Sequence, residues 1–293
     1  MIGSSVFVAA LALAVFIFVT IADDRVQAPN NGDPANDLVH VHGLGVNPAD
    51  DSLLIATHTG LFRLSEGEKA ATRITESRQD TMGFTVVGPN RFLGSGHPDL
   101  QEMRERNLPP HLGLIESTDA GETWVPVSLA GEADFHVLDA AGTRVYGFDA
   151  TNARLLVSRD GGSSWNEHAL PRGEPLIDFA VDPDDGRHIV ATTEIGLFES
   201  RTEGRAWSFR SRALGLLEWP TSERLYLVSR AGAVRASADA GATWRAIGTL
   251  RTEPAAVLAT GAGELYVALH DGTVKVSTDG GASWADRSAA SPA

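Results

Sequence analysis

The chain has 293 residues, 43% of them hydrophobic and 21% charged, with no cysteine and a formal net charge of -14. That length holds one large domain or two small ones, and the lack of cysteine excludes disulfides, thiolate metal sites, a cysteine nucleophile and a lipid anchor on cysteine. An acidic chain without any basic run also argues against a nucleic-acid partner, because binding a phosphate backbone draws on clustered Lys and Arg.

Residues 1–22 come first and differ from all that follows: Val6 to Ile21 is apolar apart from Ala and Thr20 and stops at Ala22-Asp23-Asp24. This reads as a signal peptide or as a membrane anchor. Met1 to Ser5 has no Lys or Arg, which suits the anchor, while Thr20-Ile21-Ala22 offers small residues for cleavage. Either alternative puts the folded part outside the cytoplasm, secreted or held on the outer side of the cytoplasmic membrane. Residues 23–37 are polar, with Pro29, Asn30, Asn31, Gly32 and Pro34 close together, and read as a flexible linker.

An internal repeat governs the remainder. The octet Ser-x-Asp-x-Gly-x-Thr/Ser-Trp runs Ser117 to Trp124, Ser158 to Trp165, Ser237 to Trp244 and Ser277 to Trp284; a decayed copy, Ser200 to Trp207, has Thr202 in place of the aspartate. The tryptophans therefore recur about every forty residues. Asp119, Asp160, Asp239 and Asp279 suit a structural role, since a carboxylate two residues into a tight turn accepts its amides while the glycine supplies a backbone other residues resist. Between octets each unit carries two apolar or alternating runs. Leu176 to Pro183 followed by His188 to Phe198 matches His42 to Pro48 followed by Leu53 to Phe62, so a first unit lacking the octet opens near Leu38. Each unit reads as four strands, and units begin near residues 38, 80, 133, 176, 214 and 255. The expected fold is all-β: a six-bladed β-propeller over residues 38–290, monomeric, preceded by the signal or anchor segment.

Propeller topology brings the starts of inner strands and the ends of second strands to one rim, opposite the octet turns. His40, His42 and His136 fall at inner-strand starts, His58, His97 and His270 at second-strand ends, and His111 in the blade-two connection. Asp80, Asp134, Glu194, Asp271 and Met82 reach the same rim. Imidazoles beside carboxylates suit a Cu or Zn site, for which His40, His42, His58, His97 and His136 are the candidate ligands, with Met82 a soft donor favouring reduced copper. A polar rim that binds nothing is the alternative. Residues 96–113 of blade two form an insertion, and long loops on rigid scaffolds carry function more often than packing. His97, Asp99 and His111 are therefore candidate residues for a small polar or carbohydrate ligand, with Asp99 to Asn107 expected to form a helical turn.

The octets resemble the Asp-box, or BNR, repeats of sialidases, sortilin and a photosystem assembly factor. The runs His40 to Gly45, Ala56 to Phe62, Ser95 to Pro98 and Asp134 to His136 resemble a family of small secreted bacterial propellers described as BNR-repeat or sialidase-like glycosyl hydrolases, over most of residues 38–288. The resemblance implies a propeller and a glycosidase label. A sialidase also needs three arginines and a Tyr nucleophile, and this chain departs from that pattern: Tyr146, Tyr226 and Tyr266 occupy matching blade-core positions and no arginine opens an inner strand. Three readings stay open. The first is a binding propeller holding a metal or small polar ligand, and the second a glycoside hydrolase with carboxylates drawn from Asp80, Asp99, Asp134 and Glu194. The third is an assembly scaffold for another exported protein.

Overall fold

The computed structural model describes Leu38 and residues 40–288, so the segments 1–22 and 23–37 and the last five residues lie outside the described part. Among the described residues the strands form six four-stranded sheets, each an antiparallel meander in chain order. From inside outward, blade one is Val41–Val46, Leu53–Thr57, Gly60–Leu64 and Thr72–Arg73. Blade two is Asp80–Gly88, Arg91–His97, Leu114–Ser117 and Val125–Ser128, and blade three Phe135–Ala141, Arg144–Asp149, Arg154–Ser158 and Asn166–His168. Blades four, five and six open with Leu176–Val181, Leu216–Thr221 and Pro254–Ala259, and the sixth closes with Ala285–Ser288.

The second strands show why apolar runs replace alternation. Leu53–Thr57 and Ile189–Thr193 are buried at every residue, because each sheet is covered by a neighbouring blade on both faces. Outer strands such as Val125–Ser128 contain no buried residue and face water. Val41, Leu44, Leu53 and Ile55 of blade one pack with Ala256, Ala268 and Val274 of blade six, and Arg287 donates to the carbonyls of Ser65 and Glu68, each at 2.6 Å. The ring is thereby closed, and the protein is a six-bladed β-propeller.

The octets explain how blades dock. In Ser158 to Trp165 the Asp160 carboxylate accepts the Ser158 hydroxyl at 2.8 Å, the Ser164 amide at 2.9 Å and the Ser164 hydroxyl at 2.6 Å. Asp119, Asp239 and Asp279 make the same bonds in their own turns. The octet tryptophan then reaches the preceding blade, as where the Trp165 indole donates to Ser128 at 2.8 Å. In the decayed copy the Thr202 hydroxyl accepts the Ala206 amide at 3.0 Å, taking over part of the missing aspartate's role. Beside it Glu203, buried and held down to about pKa 2, gathers Arg144, Arg159 and Arg205; burial alone would raise that carboxyl, and the guanidinium groups outweigh it.

Inner strands line a central channel of about 730 Å³. Nearly every one carries a β-bulge near its start, with register shifts between Val41 and Gly43, Thr81 and Gly83, Leu176 and Asp178, and Pro254 and Ala256. In blade three the ladder passes from Phe135 to Val137 while its partner advances one residue. The extra residue of a bulge is released from pairing and its side chain re-aimed. His42, Met82 and His136 are those residues in blades one to three, and all three line the channel.

Candidate metal centre

Two groups of three potential metal donors occur among the described residues: His42, His58 and Asp80, and His97, His111 and Asp134. Within each group one donor atom per residue lies within 4.8 Å of the others. Both are built alike. A carboxylate stands at the start of an inner strand, Asp80 in blade two and Asp134 just before Phe135–Ala141 in blade three. The residue at or just beyond the end of the preceding blade's second strand supplies an imidazole, His58 after Leu53–Thr57 and His97 closing Arg91–His97. The third donor differs: His42 comes from the blade-one bulge and His111 from the blade-two insertion.

In the first group His58 Nδ1 lies 2.8 Å from Asp80 Oδ2. His42 Nε2 lies 3.4 Å from Asp80 Oδ1, close enough to attract but not aligned to hydrogen-bond, and both atoms are buried without a hydrogen-bond partner. In the second group Asp134 Oδ2 is 3.0 Å from His136 Nε2 and 3.6 Å from His97 Nε2. Asp134 Oδ1 and His111 Nδ1 are likewise buried and unpartnered. Burial pushes the Asp134 carboxyl up, but the His136 hydrogen bond and the charges of His136, His97 and His111 outweigh it and hold its pKa below the usual value. Leaving a carboxylate oxygen or imidazole nitrogen buried and unpaired costs about 1–3 kcal/mol, more for charged groups, a cost that a coordinated cation removes.

The surrounding chain fixes these side chains. His97 Nδ1 sits 2.9 Å from the Pro110 carbonyl, which can only accept; Nδ1 therefore carries the proton in the neutral ring, and Nε2 presents its lone pair toward Asp134. The blade-two insertion thus positions His97. Its helix, Leu100–Arg106, is capped by Asp99, whose Oδ1 accepts the Gln101 and Glu102 amides at 2.7 and 3.2 Å while Oδ2 accepts the Arg78 amide at 3.0 Å. Gly96, with φ of +133°, lets the strands meet: a Cβ there would lie 2.1 Å from the Asp80 carbonyl oxygen. Backbone around Asp134 is held by Asp149, which accepts the Asp134 amide at 3.2 Å, and by Ser95, which accepts the Phe135 amide at 3.0 Å.

The five candidate ligands expected from the sequence do not form one set. His42 and His58 share the first group, His97 belongs to the second, and His136 joins the second through its bond to Asp134. His40 is exposed and has a left-handed backbone (φ 54°); its ring lies 6.1 Å from that of His58 between centroids, and its carbonyl accepts the His58 amide at 3.2 Å. His111, expected to touch a polar ligand, lies in the second group of potential metal donors, and Asp99 caps the helix. Of Asp80, Asp134 and Glu194, the first two lie within the groups; Glu194 is exposed and lines a separate cleft with Arg172, Phe209 and Arg212. Tyr146 and Tyr226 are buried in the blades.

Sequence reasoning missed the carboxylates of the channel. Asp139, Asp178 and Glu218 lie on the inner strands of blades three, four and five. Asp139 accepts the Val181 amide of blade four at 2.8 Å, and Asp178 the Leu217 amide of blade five at 2.7 Å. Burial raises Asp139 to about 6 and Asp178 to about 7, and raises Glu218 as well, which Asp139 and Asp178 further disfavour as an anion. Only their placement in runs otherwise apolar could have drawn notice.

No family model matches the chain, and no curated protein matches it in sequence. Solved structures do. A chain of a nidogen/laminin complex matches with a TM-score of 0.63 and 14% identity, covering 80% of this chain and 92% of that one. These likenesses show the fold alone. YCF48 bound to a D1 peptide matches with a TM-score of 0.53 and 14% identity over 88% of this chain and 86% of that one. The GH74 xyloglucanase of Xanthomonas campestris matches with a TM-score of 0.55 and 18% identity over 85% of this chain, which spans only 45% of the xyloglucanase chain.

Proposed function

We propose that this is an exported binding propeller that holds a first-row metal ion, zinc or copper, on its histidine-bearing rim. The observation that carries the reading is a repeated one: two buried carboxylates, Asp80 facing His42 and His58 and Asp134 facing His97, His111 and His136, each keep one oxygen without a hydrogen-bond partner. Neutral imidazole nitrogen with a carboxylate suits zinc, copper and neighbouring ions and disfavours the all-oxygen shells of calcium and magnesium. Export follows from the apolar N-terminal segment.

Glycoside hydrolysis is the second reading, and the GH74 xyloglucanase shares the fold. The site argues for metal instead. A general acid needs a raised pKa, whereas Asp134 is held down by its histidines and Asp80 and Asp134 are both committed to imidazoles. The raised carboxyls of the channel, Asp139 and Asp178, are each engaged by two backbone amides. Equilibrium dialysis of the full chain, prepared without a histidine tag, against Zn²⁺ and Cu²⁺ tests the proposal. Stoichiometric metal is expected, lost in the Asp80→Asn/Asp134→Asn double variant; a folded wild-type protein that retains no metal would sink it.

A further inference from the structure

Resting on the metal reading above, we infer that the rim is a two-ion array, with one divalent first-row ion at the junction of blades one and two and a second at the junction of blades two and three. The donors fall into two complete sets with no member in common, His42, His58 and Asp80 in one and His97, His111 and Asp134 in the other. Each set has its own pair of buried atoms without a hydrogen-bond partner, one carboxylate oxygen and one imidazole nitrogen: Asp80 Oδ1 with His42 Nε2, and Asp134 Oδ1 with His111 Nδ1. One ion relieves only one of those pairs. The repeat unit explains the duplication, since two of the three donors in the second set are those of the first advanced by one blade, with the carboxylate again opening an inner strand and the imidazole again at the end of the second strand before it.

The two sets are joined through blade two. Asp80 and His97 face each other as partners in the ladder between Asp80–Gly88 and Arg91–His97, and they belong to different sets. A single strand pair thus carries a ligand of each ion. Each set has three protein donors and a single negative charge, so each ion keeps a coordination position for water or for an oxygen donor of a ligand. The sets are not equal. The second is buttressed by His136 on Asp134 and by the Pro110 carbonyl on His97, whereas the His58 side chain of the first is 59% exposed.

Zinc counting on the full, tag-free chain decides the matter. Metal-free protein is loaded with Zn²⁺, passed through gel filtration and analysed for zinc per chain, for the wild type, His58→Ala, His97→Ala and the double variant. Two zinc ions are expected in the wild type, one in each single variant and none in the double; circular-dichroism melts establish that every variant is folded. One zinc in the wild type overturns the two-ion array while leaving the metal reading standing, and none overturns both. Two zinc ions kept in either single variant overturn the assignment of donors.

Discussion

Asp178 on the inner strand of blade four accepts the amide of Leu217 on the inner strand of blade five at 2.7 Å, and its other oxygen accepts the Phe179 amide at 2.8 Å. Asp139 repeats the arrangement one blade earlier with Val181 and Ala140. These carboxyls join the inner strands of neighbouring blades, and they do so where burial disfavours their charge.

A pH dependence of stability follows. Asp178 and Asp139 titrate near 7 and 6 in the folded protein, above the ordinary carboxyl value near 4, so the folded state holds their protons more tightly than the unfolded state. Their contribution to stability is present in full below about pH 4 and is lost as pH rises through 6 and 7. Metal-free protein is expected to melt higher at pH 5 than at pH 8, and Asp178→Asn is expected to narrow that difference. Identical pH slopes for wild type and variant in thermal melts would count against the argument.

The octet glycines make a separate prediction about blade docking. Gly162 has φ of +93°, and a Cβ there would lie 2.1 Å from Leu114 Cδ2 of the preceding blade; Gly161, next to it, has φ of +74° and open space around that position. Gly161→Ala bears only the backbone penalty, about 1 kcal/mol. Gly162→Ala adds overpacking at a blade interface and is expected to cost roughly 2–4 kcal/mol in urea unfolding. Equal losses in the two variants would mean that the octet does not set the distance between blades.

Asp99 links a helix cap to the rim. Asp99→Ala removes its bonds to the Gln101, Glu102 and Arg78 amides and is expected to cost about 1 kcal/mol of stability. The same loop carries the Pro110 carbonyl that orients His97. Loosening such a support lowers metal affinity about 10–100-fold, here for the second donor set, with the first unchanged. Zinc titrations in the Asp99→Ala and Asp99→Ala/His58→Ala backgrounds read the two sets separately; unchanged affinity in both would show that the cap does not support the site.

Much of the fold was legible in the chain because its information is local. The octet needs only neighbouring atoms to work: Asp160 reaches Ser158 and Ser164, residues two and four away. Repeated at a constant spacing, that turn dictates the number and size of the sheets, and the apolar second strands tell that both faces of each sheet are covered. The rim was legible as a region for the same reason, since strand order alone carries His42, His58, Asp80 and His97 to one end.

What the sequence could not settle was which of these residues meet. His42, His58 and Asp80 are drawn from two blades, His111 from a loop whose path depends on its helix cap, and the aim of His42 and His136 depends on bulges visible only in the strand register. Asp139 and Asp178 find their partners some forty residues away across a blade interface. Periodicity fixes the face on which a residue lies, because that is a property of the backbone repeat; distances of a few ångströms between side chains arise only from the packing of one blade against the next.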